Sequence, residues 1–395
     1  MTRVLVVSLC AVIAMAAAGQ SQVSDPAGAS GKDTLVYIGT HTGEKAKGIY
    51  LFRLQSAGTE VFQNVTLVPL GLAAETANPT HFELDTPRRR LFTVNEIDRF
   101  DGKPTGAVSA YTIDSAGKLT LLNQRASMGT RPCHLVVDQG GRNLVVANCA
   151  SGTIAILPVA ADGTLGEASQ TIAIAAGDSG KVGDRTPCVA LDPSNRFAFV
   201  CDPSSDRIAS YVFDSQRGKL TPASPSAAAL KPGAGPRQMQ FRQDARFAYV
   251  LNERHSTVTV FAYDASTGSL SDVQTVSTLP EYFDGANVAG ELYLHRSGRW
   301  LYASNIGHNS IALFTIDPEK GTLTFVEEQG TGGKTPRQFG IEPSSKHLAI
   351  SNRDSDTVLA SRIDEGNGRL KPSGIFADLS SPAGIRFLPP LGVGK

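Results

Sequence analysis

Two sets of residues recur along this chain, and both contain groups that can do chemistry. The first set follows a proline, or opens an apolar run directly after one: Thr80 and His81, Cys133 and His134, Cys188, Arg237 and Gln238, Arg337 and Gln338. The second set closes the next apolar run: Asn95-Glu96, Asn148-Cys149, Asp202-Pro203, Asn252-Glu253, Asn305-Ile306 and Asn352-Arg353. Glutamate and histidine can move protons, and an arginine fork matches a planar carboxylate or a phosphate. The asparagine shared by five members of the second set has a plainer use, because its side chain bonds nearby backbone and shapes a turn. Other chemistries are not written here. There is no Gly-rich phosphate loop, no Gly-x-Ser-x-Gly elbow and no His-Glu-x-x-His, and neither a metal nor a cofactor is expected.

The spacing defines the elements that must position these residues. Pro79, Pro132, Pro187, Pro236, Pro336 and Pro382 stand 53, 55, 49, 100 and 46 residues apart, and a weaker copy, AGELYLHRSGRWLY from Ala289, divides the double interval. A period of this size points to a propeller or a solenoid. Each repeat parses into four short strands. In one copy strand A is CHLVVD (133–138), strand B NLVVANC (143–149), strand C GTIAILPVA (152–160), and strand D starts at Thr164. The recurring D-x-x-x-G-x-L (DSQRGKL, DASTGSL, DPEKGTL, DEGNGRL) reads as the hairpin between C and D.

The ends of the chain decide between the two architectures. The first repeat supplies strands B (TLVYIGT), C (GIYLFRL) and D (TEVFQNV) without an A, and the last element, SPAGIRF, is an A alone. Joined, they complete one blade. The expectation is an all-β, closed seven-bladed propeller of four antiparallel strands per blade, occupying residues 34–390 as one domain. Polar capping repeats, which a solenoid needs, are not visible. In a propeller strand A is innermost and B is its neighbour, so the starts of A and the ends of B meet at one mouth of the central channel. The two recurring sets therefore converge.

Lys+Arg and Asp+Glu are equal at 37 each, so no global field draws the chain to nucleic acid or to an anionic membrane. The N-terminus reads as a targeting segment. Arg3 precedes an apolar run from Val4 to Ala18 that ends in small residues, and 19–33 reads as a disordered leader. A cleaved signal peptide at 1–18 predicts a periplasmic or secreted monomer with no membrane span after cleavage.

Several segments together resemble the lactonase family of seven-bladed propellers, which contains bacterial 6-phosphogluconolactonase and the fungal carboxy-muconate lactonizing enzyme. They are LVYIGTHTGEKAKGIYLFRL, LFTVNEI, GTRPCHLVVD, GAGPRQMQF, AYVLNERHSTVTVFAYD, WLYASNIGHNSIALF and TPRQFGIEP, and the resemblance spans roughly 34–390. It implies a site at the channel mouth in which Arg237, Glu253 and His134 match family positions. Three positions depart. The family's PHxH aligns with Asp184-Arg185-Thr186-Pro187, the His of its GPRH is Gln238, and the Arg of its SNR aligns with Ile306. Arg353 in the next repeat is the stand-in for that arginine.

What the resemblance implies chemically is hydrolysis of a sugar or carboxylated lactone, a small-molecule reaction. Glu253 would be the base, Arg237 the stabiliser of the oxyanion, and His134 the carrier of the proton to the leaving alkoxide. Glu96, Asn252, Arg337, Arg353 and Gln238 would contact substrate. The departures leave two alternatives open: a propeller that binds without catalysis, and an isomerase running the reverse cyclisation. Four cysteines remain after the leader. Cys133 and Cys149 flank one A–B pair and Cys188 and Cys201 the next, so two disulfides within blades or two pairs of buried thiols are both compatible with an exported chain.

Overall fold

A computed structural model describes residues 33–57, 64–174 and 188–390 of the protein. The signal peptide expected at 1–18 and, apart from Asp33, the leader at 19–33 lie outside the described residues. Seven four-stranded sheets follow one another along the chain. The sheet that opens the chain is completed from the other terminus: strand A, Pro382–Leu388, pairs antiparallel with strand B, Thr34–Thr40, and C (Gly48–Ala57) and D (Asn64–Glu75) follow outward. This is blade 1, and blades 2 to 7 follow in chain order, each built from consecutive strands.

Two outer strands sit later than the sequence suggested. Strand D of blade 1 is Asn64–Glu75, whereas TEVFQNV was expected, and residues 59–63 of that stretch fall outside the described residues. Strand D of blade 3 is Gln170–Ala173 and does not begin at Thr164. The reason is local. Asp162 accepts hydrogen bonds from the Thr164 amide and hydroxyl, and Asn123 of blade 2 binds both backbone groups of Leu165, so the hairpin makes one isolated bridge, Val159 to Leu165, and regular pairing begins only at Gln170.

Strand A shows why the channel is polar while the blades are dry. The third residue after the proline, Ile385, Phe82, Leu135, Met239 and Phe339 in the blades where the match is clear, is buried in an apolar cluster between two blades, as is Leu292, the third residue after Ala289 in blade 6, which lacks the proline. The residues on either side point the other way, as a strand requires. The buried apolar residues divide into seven clusters, each drawn from two adjacent blades, one for every blade-to-blade interface of a closed ring.

A repeated latch joins the blades at their far end. Tyr37, Tyr249 and Tyr302 stand at the centre of strand B in blades 1, 5 and 6, fully buried. Their hydroxyls donate to Gly117, Gly321 and Gly368 carbonyls in the C–D hairpin of the next blade, at 2.6, 3.0 and 2.6 Å. Gly321 and Gly368 are the glycines of the D-x-x-x-G-x-L repeat, and Gly117 holds the same place in DSAGKL, which is one residue shorter. The motif's aspartate closes the turn: Asp317 accepts from the Glu319 and Lys320 amides. The glycine is needed twice over at Gly368. Its φ is +77°, and a Cβ there would lie 2.7 Å from the Trp300 ring. Gly368→Ala should therefore cost roughly 2 kcal/mol of stability, seen as an earlier thermal unfolding midpoint. An unchanged midpoint would show that the hairpin is not held against blade 6.

Candidate functional site

The ladder between strands A and B places the mouth residues. Pro132, Pro236 and Pro336 pair with Asn148, Asn252 and Asn352, and the register breaks immediately after each proline. Cys133, Arg237 and Arg337 occupy these breaks. A bulge of this kind leaves one residue out of the ladder and re-aims its side chain. The asparagines themselves are fully buried and hold the turns. Asn148 and Asn352 donate to the Ser127 and Thr331 carbonyls, and Asn252 to the hydroxyls of Thr257 and Thr259.

At the mouth, Arg237 and Glu253 form an ion pair at 3.0 Å, with side chains 11% and 25% exposed. Arg237 Nε also donates to the Gly290 carbonyl of blade 6, so the guanidinium is fixed between two blades. Glu96 accepts from the Thr80 hydroxyl at 2.8 Å and lies 3.8 Å from Arg131. Arg353 is bound to Asp354 at 2.8 Å. Arg337 differs from the other arginines. It reaches deep into the mouth, and burial, then the charge of Arg237, push its pKa down to about 10 against the pull of Glu96 and Glu253.

One layer below, the second residues of strand A form a polar ring. Gln238 donates to Glu291 at 2.8 Å and accepts from the Leu292 amide. His81 and His134 pack with ring centroids 4.3 Å apart, and Gln338 meets His81 at 3.2 Å. Arg386 reaches up to His81 and is bound to Glu83 at 2.7 Å. Burial dominates here. It pushes Glu291 up to about 7 despite Arg386 and Arg237, and it pushes His134 down to about 3 with help from the same two arginines.

This geometry redistributes the sequence-derived roles. Arg237, Glu253, Glu96, Arg337 and Arg353 do come together at one mouth. Gln238 and Asn252 lie behind it with their amides engaged inside the protein, so they support the site and do not line it. His134 sits in the ring beneath, and an imidazole held near 3 stays neutral at ordinary pH and is a poor proton carrier. Ile306 ends strand B of blade 6 at the place where an arginine was expected. Asp184 to Pro187 lie outside the described residues. Cys133 and Cys149 are bridged, while Cys188 and Cys201 are buried free thiols with their sulfurs 3.5 Å apart. One of the two anticipated pairs is thus a disulfide.

A cavity of about 680 Å³ opens at the other end of the strands, between blades 5 and 6, lined by Arg242, His295, Arg296 and Trp300 among others. Its inner polar side chains are already used: Arg242 by Asp244 and the Pro318 carbonyl, His295 by Ser297 and the Ser345 carbonyl. The mouth carries the convergent charged groups. No helix among the described residues is long and apolar enough to cross a membrane.

The model of the family described as lactonase, 7-bladed beta-propeller, matches residues 35–387. The chain belongs to this lactonase family. It is an enzyme of the lactone-hydrolysing type. It is 30% identical over 359 residues to a 6-phosphogluconolactonase of Bacillus subtilis, covering 89% of this chain and 97% of that one. It is 31% identical over 286 residues to a 6-phosphogluconolactonase of Pectobacterium carotovorum, covering 72% and 83%. The solved periplasmic gluconolactonase of Pseudomonas aeruginosa superposes with a TM-score of 0.83 at 30% identity, over 91% of this chain and 99% of that one.

Sequence reasoning missed Glu291, Arg386 and His41. Glu291 lay in the weakest repeat and Arg386 in the last, and strand alternation alone would have put both in the channel. Glu291 generates a pH prediction. Its pKa is raised from 4.5 to about 7, so the folded state holds a proton that the unfolded chain releases. Its stabilising contribution is complete below pH 4.5 and is lost as pH rises to 7. Glu291→Gln should therefore gain stability relative to the parent between pH 5 and pH 8, read as the difference in thermal midpoints. A difference constant across that range would place an ionised carboxylate in the channel.

Proposed function

We propose that this protein is an exported lactonase that adds water across the ring ester of a sugar lactone or carboxylated lactone at the channel mouth. The observation that carries this reading is the Arg237–Glu253 ion pair at 3.0 Å, presented at the mouth of a lactonase-family propeller. Arg237 is held by Glu253 and the Gly290 carbonyl before any substrate arrives, so its positive charge faces the developing oxyanion without reorganising. Glu253 keeps that guanidinium in place and orders water beside it. Arg337 and Arg353 supply further positive charge for the carboxylate that forms when the ring opens.

Export is supported by the leader-like residues 1–18 and by the likeness to a periplasmic gluconolactonase. An unphosphorylated aldonolactone suits an exported enzyme better than 6-phosphogluconolactone, which is made in the cytosol. The absence of the family's histidines at Gln238 and at Asp184 to Pro187, with Ile306 in place of an arginine, favours one competing reading, a propeller that binds without turnover.

The test is a panel of δ- and γ-lactones with the purified mature protein, measured against spontaneous hydrolysis. Turnover of at least one sugar lactone is expected, and Arg237→Ala should lower kcat/KM by about 10²-fold. Absence of turnover across the panel would establish the binding propeller. Turnover unchanged in both Arg237→Ala and Glu253→Gln would move the site elsewhere.

A further inference from the structure

We infer that His41 takes the proton from the attacking water and returns it to the leaving alkoxide, an inference that rests on the lactonase reading above. His41 follows strand B of blade 1, Thr34–Thr40. Aligning the buried tyrosines Tyr37, Tyr249 and Tyr302 puts His41 in the same place as Glu253 and Ile306. It is the blade 1 member of the ring of strand-B ends that includes Glu96, Glu253 and Arg353. Its amide donates to the Ser381 carbonyl at 3.0 Å, which fixes it beside the head of strand A. Next to it, Thr42 and Asn78 bond each other, and Asn78 bonds the Glu96 backbone, so blades 1 and 2 are tied together at this point.

The imidazole is poised and unused. Nε2 is covered and has no hydrogen-bond partner. A polar atom left without a partner under cover is costly, and such atoms concentrate where a ligand completes the structure. The charges that act on the ring are those of Arg337 and Arg353 of blade 7, Arg131 ahead of blade 3, and Glu96 of blade 2. Burial, then Arg337, holds its pKa below the ordinary 6.5, with Glu96 opposing. A neutral imidazole keeps one lone pair, which a base needs.

The other titratable groups at the mouth are committed. Glu253 is bound to Arg237, Glu96 is bound to Thr80 and lies near Arg131, and His81 and His134 lie in the ring below. In the step, a water O–H proton passes to the imidazole nitrogen that carries the lone pair, while the water oxygen bonds the lactone carbonyl carbon. The ring C–O bond then breaks, and the imidazolium proton passes to the departing alkoxide oxygen. The arginines that disfavour the imidazolium also favour the oxyanion formed with it, so the proton is returned readily.

The test is the pH profile of kcat/KM on whichever sugar lactone the wild-type protein turns over. An ascending limb with its midpoint below 6.5 is expected. His41→Gln should lower kcat by about 10²-fold with KM little changed and should abolish that limb, and added imidazole should partly restore His41→Ala. Wild-type turnover with kcat and limb intact in His41→Gln overturns this inference and leaves the lactonase reading standing. Wild-type protein inert on every lactone overturns both. Should the variants not fold, NMR titration of the His41 ring in the wild-type protein decides. A midpoint below 6.5 that moves when gluconate is added supports the role, and a midpoint at or above 6.5, or one indifferent to gluconate, overturns it.

Discussion

Pairing between the two ends of the chain is the constraint on which the rest depends. Strand Pro382–Leu388 pairs with Thr34–Thr40, from Leu35 against Leu388 to Thr40 against Pro382. Without that ladder, blade 1 has no inner strand, and the apolar interface it shares with blade 7, built on Val36, Ile38, Ala349, Val358 and Ile385, opens to water. Burial of that apolar surface is what drives closure. Closure also sets the site. It brings His41 beside Glu96 on one side and Arg337 and Arg353 on the other, and it places Arg386, from the last strand, under His81 and against Glu83. Residues some 300 positions apart share one hydrogen-bond network because the ring is shut.

Charge is arranged in two layers along the channel, and the layers have different tasks. The lower ring is mostly paired, with only the Gln338 Oε1 of these groups left without a partner: Gln238 with Glu291, Gln338 with His81, Arg386 with Glu83. A buried polar network of this sort holds the seven inner strands in register and costs little so long as every member has a partner. The mouth is only partly satisfied. Arg237 is pinned by Glu253 and by blade 6, while Arg337 and His41 lack such partners among the described residues and sit where a substrate would lie. A rigid floor under an incompletely paired rim is an arrangement suited to binding a small anionic or anion-forming molecule.

Much of this was legible in the residues. The period of the prolines gave the blade count, and the missing strand A at one terminus with the spare A at the other gave closure. The Pro–Asn register that brings Arg237 to Glu253 was visible as two sets recurring in step. Roles were less legible, because they depend on depth. Arg237 and Gln238 are neighbours in sequence, yet a bulge at Arg237 turns one to the mouth and leaves the other in the ring, and nothing local in GPRQMQF marks it. His134 matched a family position and proved to lie under the mouth. His41 was overlooked because blade 1 opens the chain without the proline-led strand that flags the others; the B-strand tyrosines would have found it.

The most direct measurement is a crystal structure of the mature protein soaked with gluconate, the ring-opened product of the simplest sugar lactone. The account predicts the carboxylate at the channel mouth, within hydrogen-bond distance of Arg237 or Arg337, with His41 facing the hydroxyl that was the ring oxygen. Gluconate bound instead in the far-face cavity beside Arg296 and Trp300, with the mouth holding only water, would contradict it.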